Sequence, residues 1–220
     1  MSNKTERSAP TVTRPRRTRG RPSVMDKHAV AEAAFALWFE RGLAATSWSD
    51  LAEVTGVSAR TLIRHFPDKR DIAWLGVAPA TARLRAALAQ IPATADLNDA
   101  LRAAIVESVS HDPRISRVNP SWLRLISTEP ELSSMSAQAF RPWIDELAGF
   151  IRSRIPLAPN AVCVALGTAY QAAAFAALTE WANASPTDSP TDSPQPATHT
   201  DAADAVEAML AWIDIRIPGL

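Results

Sequence analysis

The chain has a single cysteine, Cys163, in 220 residues. No intramolecular disulfide can form, and a lone thiol fits a reducing compartment. Glycine is also scarce, at seven residues. That leaves little room for a phosphate-cradling loop, and neither a GxGxxG run nor a P-loop occurs. The four histidines, His28, His65, His111 and His199, have no metal-ligand spacing such as HExxH, and Cys163 has no CxxC partner. Cys163 lies in an apolar helical run, where a buried thiol is inert. Asp145–Glu146 and Glu129/Glu131 read as surface carboxylates, not as an acid/base pair. No catalytic residue, metal or cofactor is assigned, and an enzyme is not expected. No apolar run reaches the roughly 20 residues that span a bilayer. The N-terminus lacks the apolar core of a signal peptide. A cytoplasmic protein without a membrane segment is expected. No alternating strand pattern occurs either, so the fold class expected is all-α.

What is present is unevenly placed. Net charge is zero, yet residues 1–75 carry 13 Lys/Arg and 8 Asp/Glu, and residues 76–220 carry 10 and 15. A basic front on an acidic body turns the front toward a polyanion. Five arginines, Arg14, Arg16, Arg17, Arg19 and Arg21, crowd the segment RPRRTRGRP. Pro15, Gly20 and Pro22 disfavour helix there. Residues 1–22 are expected to be a disordered basic arm, either a solvated tail or a strand for minor groove and phosphates.

Residues 46–71, TSWSDLAEVTGVSARTLIRHFPDKRD, have the pattern of two short helices around a glycine turn. Ser47 and Asp50 form a capping-box-like start. Leu51, Ala52 and Val54 make the apolar side of a helix ending at Thr55. Gly56 can adopt the left-handed backbone that reverses the chain. Ser58 caps a second helix with Leu62, Ile63 and Phe66 expected inward. Ala59, Arg60, Thr61, Arg64 and His65 are left outward, a set suited to a DNA major groove. Pro67 blocks continuation. The alternative is an ordinary pair of core helices.

With the preceding helix AVAEAAFALWFERG, Gly56-Val57-Ser58, Thr61-Leu62, His65-Phe66 and Lys69, this segment resembles the DNA-binding domain of the tetracycline-repressor (TetR) family. The resemblance runs from about Val24 to Trp74. It departs at Ile63, where the family usually has an aromatic residue, often a Tyr near the DNA backbone. RTRGRPS, SARTLIRHFPDKRDIAW and the Trp and Arg pattern of the body are similar to actinobacterial TetR regulators of the mycofactocin-associated kind. The resemblance implies a homodimeric repressor on a palindromic operator, with two recognition helices in successive major grooves. Arg60, Thr61 and His65 are then expected at or near bases. Thr46, Ser47, Arg64 and Lys69 are expected at phosphates, beside Ser58, Ala59 and the arm residues Arg16, Arg17, Arg19 and Arg21. The alternative reading is a helical ligand-binding or interaction protein with only non-specific DNA binding.

The domains expected are a head at residues 24–70 and a helical body at residues 71–220. Val24–Arg41 has helical spacing and stops at Gly42. The segment after Pro67 carries Ile72, Leu75, Leu84 and Leu88, and Pro79 should kink or split it. Asp96 should cap a helix reaching about His111. Pro113, Pro120, Pro130 and Pro142 should cut the next region into short or bent helices, Ser121–Ser127 and Glu131–Ile155 among them.

Asn160–Ala184 is alanine-rich and uncharged until Glu180. Asp201–Ile217 carries Val206, Met209, Leu210, Ile213 and Ile217. The resemblance implies that these two helices form a dimer interface; the alternative is that they complete a monomer core. Between them, residues 184–200 with the repeat Ser-Pro-Thr-Asp are expected to be a flexible loop, either an inert linker or a site for phosphorylation or docking. A regulator also needs an effector. Trp122, Phe140, Trp143 and Phe175 are expected around an apolar pocket, with Tyr170, Arg124, Cys163 and Gln171 beside them. Each aromatic has plain core as its alternative. The ligand expected is hydrophobic, a fatty acyl thioester being the first to try.

Overall fold

The computed structural model describes residues 25–110, 120–185 and 201–215. The basic arm, most of the Ser-Pro-Thr-Asp loop and Ile217 therefore lie outside the described residues. Among those described, every regular element is helical. The head contains α1 (Lys27–Arg41), α2 (Trp48–Thr55) and α3 (Ala59–His65). A short 3-10 helix, Lys69–Ile72, leads to α4 (Val77–Gln90). The body continues with α5 (Leu97–Ser110), α6 (Ser121–Thr128), α7 (Pro130–Ser133), α8 (Ser136–Ala139), α9 (Arg141–Arg154), α10 (Asn160–Ala184) and α11 (Ala202–Leu210).

Local chemistry explains the head. Asp26 accepts hydrogen bonds from the backbone N–H of His28 and Ala29 at 2.9 and 3.2 Å, starting α1. Val30, Ala34, Leu37 and Trp38 fall on its buried stripe, and Gly42 ends it at φ 84°. Gly56 turns the chain at φ 65°, in the left-handed region. Leu51, Leu62 and Phe66 are then fully enclosed. Burial of such side chains contributes about 1.5–3 kcal/mol each.

Two details of the head differ from the sequence reading. Ile63 is 46% exposed and Val54 52% exposed, so neither is a core residue. α3 has only seven residues, and its inward arc is filled by Leu62 and Phe66.

The prolines of the body open helices more than they bend them. The chain breaks at Ala73–Gly76, ahead of α4. Pro79 then sits in the first turn of α4, where its missing N–H removes no intrahelical bond. Pro130 and Pro142 likewise lie in first turns. The expected Glu131–Ile155 helix is therefore three helices, α7, α8 and α9.

The body packs as a layered bundle, with α10 against α9, α11 and α6, and α4 against α5 and α9. α9 and α10 approach closely at Gly167. A Cβ there would lie 3.0 Å from the Ile144 carbonyl oxygen and 3.4 Å from Ala148 N. α10, at 25 residues, is long and apolar enough to cross a membrane by length and composition, contrary to the sequence reading. In this fold it is a core helix that buries Cys163, Gly167, Tyr170, Ala174, Ala177 and Leu178. α11 is shorter than expected and ends at Leu210.

Candidate nucleic-acid interface and apolar cavity

α3 is held by both its ends. The Ser58 side chain accepts from Thr61 N at 3.2 Å and shares a 2.9 Å hydrogen bond with the Thr61 hydroxyl. The Phe66 N–H donates to the Leu62 carbonyl at 2.8 Å. With about 3.6 residues per turn, enclosing Leu62 and Phe66 turns Arg60 and Arg64 to the opposite side. Arg60, Arg64 and His65 are exposed, as is Ser58, while Ala59 and Thr61 are half-buried. Neither Arg60 nor Arg64 has an ion-pair partner among the described residues. Two unneutralised guanidinium groups on one outer helix face suit bidentate contact with guanine edges or phosphates.

The start of α2 is equally rigid. Ser47 N donates to Asp50 Oδ2 at 2.7 Å, and Asp50 N donates to Ser47 Oγ at 3.1 Å. The Ser47 hydrogen bonds hold the Asp50 carboxyl below its ordinary value. Ser47 is exposed at the helix start.

Thr46 and Lys69 have structural roles instead of free donors. Thr46 is 1% exposed, and its hydroxyl donates to the Gly42 carbonyl at 2.9 Å. A buried hydroxyl already committed in this way does not reach a phosphate, which corrects that expectation. The Lys69 ammonium donates to the Leu43 carbonyl at 3.2 Å and to the Thr46 carbonyl. It ties the α1–α2 corner to the 3-10 helix. Beside it, Arg70 Nε donates to both Asp68 oxygens, at 3.0 and 2.9 Å, and this hydrogen bonding holds the Asp68 carboxyl low. Arg16, Arg17, Arg19 and Arg21 lie outside the described residues.

A second feature lies where head meets body. Fourteen residues enclose an apolar cavity between the Ala73–Val77 segment and α4, α5, α6, α9 and α10. It contains about 590 Å³ of space between atoms, solvent at its mouth included. Trp74, Trp122, Phe140, Trp143, Gln171 and Phe175 are among the residues that line it. Trp74 and Phe140 meet edge-on at 5.6 Å, and Phe140 meets Phe175 at 5.6 Å.

Arg124, Cys163 and Tyr170 do not line this cavity. Arg124 Nε donates to the Ala182 carbonyl at 2.7 Å, and the guanidinium also reaches the Ser185 carbonyl, so it caps the end of α10. Cys163 is fully buried on the inner face of α10. The Tyr170 hydroxyl donates to Asn98 Oδ1 at 3.2 Å, away from the cavity. Ala73, Gly76, Val77, Ala80, Val109, Leu123, Ala174 and Leu178 complete the wall. Sequence reasoning missed them because small apolar residues look the same in any core.

A third feature is the outer side of α10 and α11. Ala165, Ala169, Ala172 and Ala176 are exposed along α10. Trp181, Ala205, Ala208, Met209 and Trp212 border an open apolar groove beside them, and Trp212 is 88% exposed.

Known proteins place these features together. The model of the TetR family of bacterial regulatory proteins matches residues 30–73, and that of the MftR C-terminal domain matches residues 95–211. The mycofactocin biosynthesis transcriptional regulator MftR of Mycobacterium tuberculosis is 29% identical over 135 residues, 61% of this chain and 68% of that protein. The HTH-type transcriptional repressor ComR of Escherichia coli is 40% identical over 57 residues, 26% of this chain and 27% of its own length. Among solved structures, Thermus thermophilus FadR, a TetR repressor in complex with lauroyl-CoA, superposes with a TM-score of 0.51 at 19% identity, covering 89% of this chain and 99% of that one. That likeness carries the fold. The chain belongs to the TetR family of bacterial regulatory proteins, with a C-terminal domain of the MftR type, and is a transcriptional regulator, not an enzyme.

Proposed function

We propose that the protein is a homodimeric repressor that reads a palindromic operator and is modulated by a hydrophobic effector. The observation that supports the DNA reading best is the outer face of α3, where Arg60 and Arg64 stand exposed and unpaired beside His65. Arg60, Thr61 and His65 contact bases or their neighbours. Ser47, Ser58 and Arg64 take phosphates, with Ala59 allowing close approach. The arm residues Arg16, Arg17, Arg19 and Arg21 add minor-groove or phosphate contacts. Two copies pair through the outer faces of α10 and α11, whose exposed alanines permit close helix approach and whose groove would otherwise leave Trp212 in water. The regulator works in the cytoplasm, on chromosomal DNA.

The apolar cavity receives the effector. It touches the Ala73–Val77 segment that joins head to body, so a ligand there contacts the joint itself. The lauroyl-CoA bound by Thermus thermophilus FadR makes a fatty acyl thioester the first ligand to try. Selection from a random duplex library, followed by binding of the winner across a salt series, tests the DNA reading. A palindromic consensus bound far more tightly than scrambled DNA is expected. Weak, salt-sensitive binding without a consensus would mean the basic arm binds polyanions generally.

A further inference from the structure

The outer side of α3 is not wholly polar. Ile63 is 46% exposed, beside the exposed Arg60 and Arg64. A lone apolar side chain on a surface usually needs no explanation. Three observations set this one apart. First, it shares its helix side with two guanidinium groups that have no ion-pair partner among the described residues, so this face suits a polyanion. Second, the isoleucine side chain has no hydrogen-bonding atom and offers a phosphate oxygen nothing. Third, helical geometry couples it to Arg60. Three residues on, Ile63 lies about 60° around the helix from Arg60 and about 4.5 Å further along it. Base pairs are about 3.4 Å apart. With α3 lying in the groove, the two side chains are spaced to meet neighbouring base pairs. The apolar group that base edges present in the major groove is the thymine C5 methyl.

We propose that Ile63 packs against the C5 methyl of a thymine in the major groove, at the base pair beside the one that Arg60 reads. This rests on the DNA reading of α3 and deepens it by naming a base and its place in the half-site. Contact between the side chain and the methyl takes both out of water. A cytosine in the same place has no methyl and would leave part of Ile63 wet. A β-branched side chain on a helix is stiff at χ1, so it is held ready in one direction and little freedom is lost on contact. Ile63 is a specificity-determining residue on this view. It discriminates by shape where Arg60 discriminates by hydrogen bonds.

The test uses the full chain and the operator that duplex selection returns. In synthetic copies each thymine is replaced in turn by deoxyuridine, at matching places in both half-sites. This removes the C5 methyl and keeps every hydrogen-bonding atom of the base. The base pair at which Arg60→Ala loses its preference locates the position that Arg60 reads. Fluorescence anisotropy then compares the unaltered protein with Ile63→Ala. One deoxyuridine, next to the located pair, is expected to weaken the unaltered protein about fourfold per half-site, the worth of one buried methyl group. With both half-sites changed the loss is about 16-fold. The same duplex should be bound by Ile63→Ala almost as well as its thymine parent, and that difference between the two proteins is the signature of direct contact. Equal deoxyuridine losses in both proteins would overturn the proposal and leave the DNA reading standing, with Ile63 against sugar and phosphate or against nothing. A half-site without a thymine beside the located pair would overturn it in the same way. A selection that returns no consensus would remove the proposal together with the DNA reading. If Ile63→Ala fails to fold, Ile63→Ser takes its place in the same comparison.

Discussion

Head and body are both helical, but their helices are specified differently. In the head, every helix start has a side-chain cap: Asp26, Ser47, Ser58 and Asp68. In the body, α4, α6, α7, α8, α9 and α10 have none. Distant arginines hold the body's loose carbonyls instead. Arg83 donates to the Ser108 carbonyl at 2.9 Å, Arg124 to that of Ala182 at 2.7 Å, and Arg154 to that of Ala95 at 2.8 Å. The head's helix starts are thus all fixed by neighbours a few residues apart, whereas among the described residues of the body only α5, capped by Asp96, and α11, capped by Asp201, are fixed that way. A locally encoded unit can keep its shape when it shifts as a rigid body, as a reader of DNA must. A bundle held by tertiary packing is where a ligand can change the arrangement.

The comparison breaks most visibly at the subunit level. Ala172→Arg puts a charge on the exposed side of α10 without touching the monomer core. If that face pairs two copies, dimerisation is lost, and operator affinity falls by about 10²–10⁴-fold because the two heads no longer bind together. Sedimentation velocity reads the first effect and fluorescence anisotropy the second. A dimer that survives would reject this face as the interface.

Within the body, Gly167→Ala sharpens the claim that close packing sets stability. The new Cβ would lie 3.0 Å from the Ile144 carbonyl oxygen, a backbone atom that cannot swing aside. A loss of about 1–3 kcal/mol is expected in urea unfolding, with the isolated DNA-contact face unchanged in sequence preference. In the head, Arg60→Ala should cost about 1–3 kcal/mol at one preferred base pair if the guanidinium reads a base. A uniform loss over all sequences, with a shallower salt slope, would assign Arg60 to a phosphate. Ser47→Ala removes the α2 cap, in which Asp50 N donates to Ser47 Oγ at 3.1 Å. It should cost about 1 kcal/mol in thermal unfolding. A cap deletion that costs nothing would weaken the claim of local encoding.

This contrast also explains what was legible in the sequence. Ser47 with Asp50, Gly56 and Ser58 are local signals, and the structure has each in the expected role. Ile63 was misplaced because α3 has barely two turns, too few for periodicity to distinguish a side from a core position. In the body the difficulty is α10. Its first twenty residues are uncharged, so no polar stripe marks which side faces out. Tyr170 and Gln171 are neighbours, yet a step of about 100° sends one to Asn98 and the other to the cavity. Arg124 is expected beside the pocket, but the carbonyls it caps are some sixty residues away and invisible to local reading.

The smallest expected effect tests the body's polar fastening. The Tyr170 hydroxyl donates to Asn98 Oδ1 at 3.2 Å. The same oxygen accepts from Ile215 N at 2.8 Å, and Asn98 Nδ2 donates to Asp214 at 2.8 Å. One asparagine on α5 thus joins α10 to the segment after α11. Tyr170→Phe removes a single neutral hydrogen bond, worth about 0.5–1.5 kcal/mol, so only a slight loss of stability is expected at neutral pH. The alkaline range is more telling. Burial pushes the Tyr170 phenol up to about 12 from its ordinary 10.0. The unfolded chain releases this proton first, so stability is intact below pH 10 and falls as pH rises through about 12. Tyr170→Phe has no proton to release and should show a shallower alkaline decline in chemical unfolding. Parallel curves for the two proteins would mean that the phenol is not enclosed, and that packing alone holds the segment after α11.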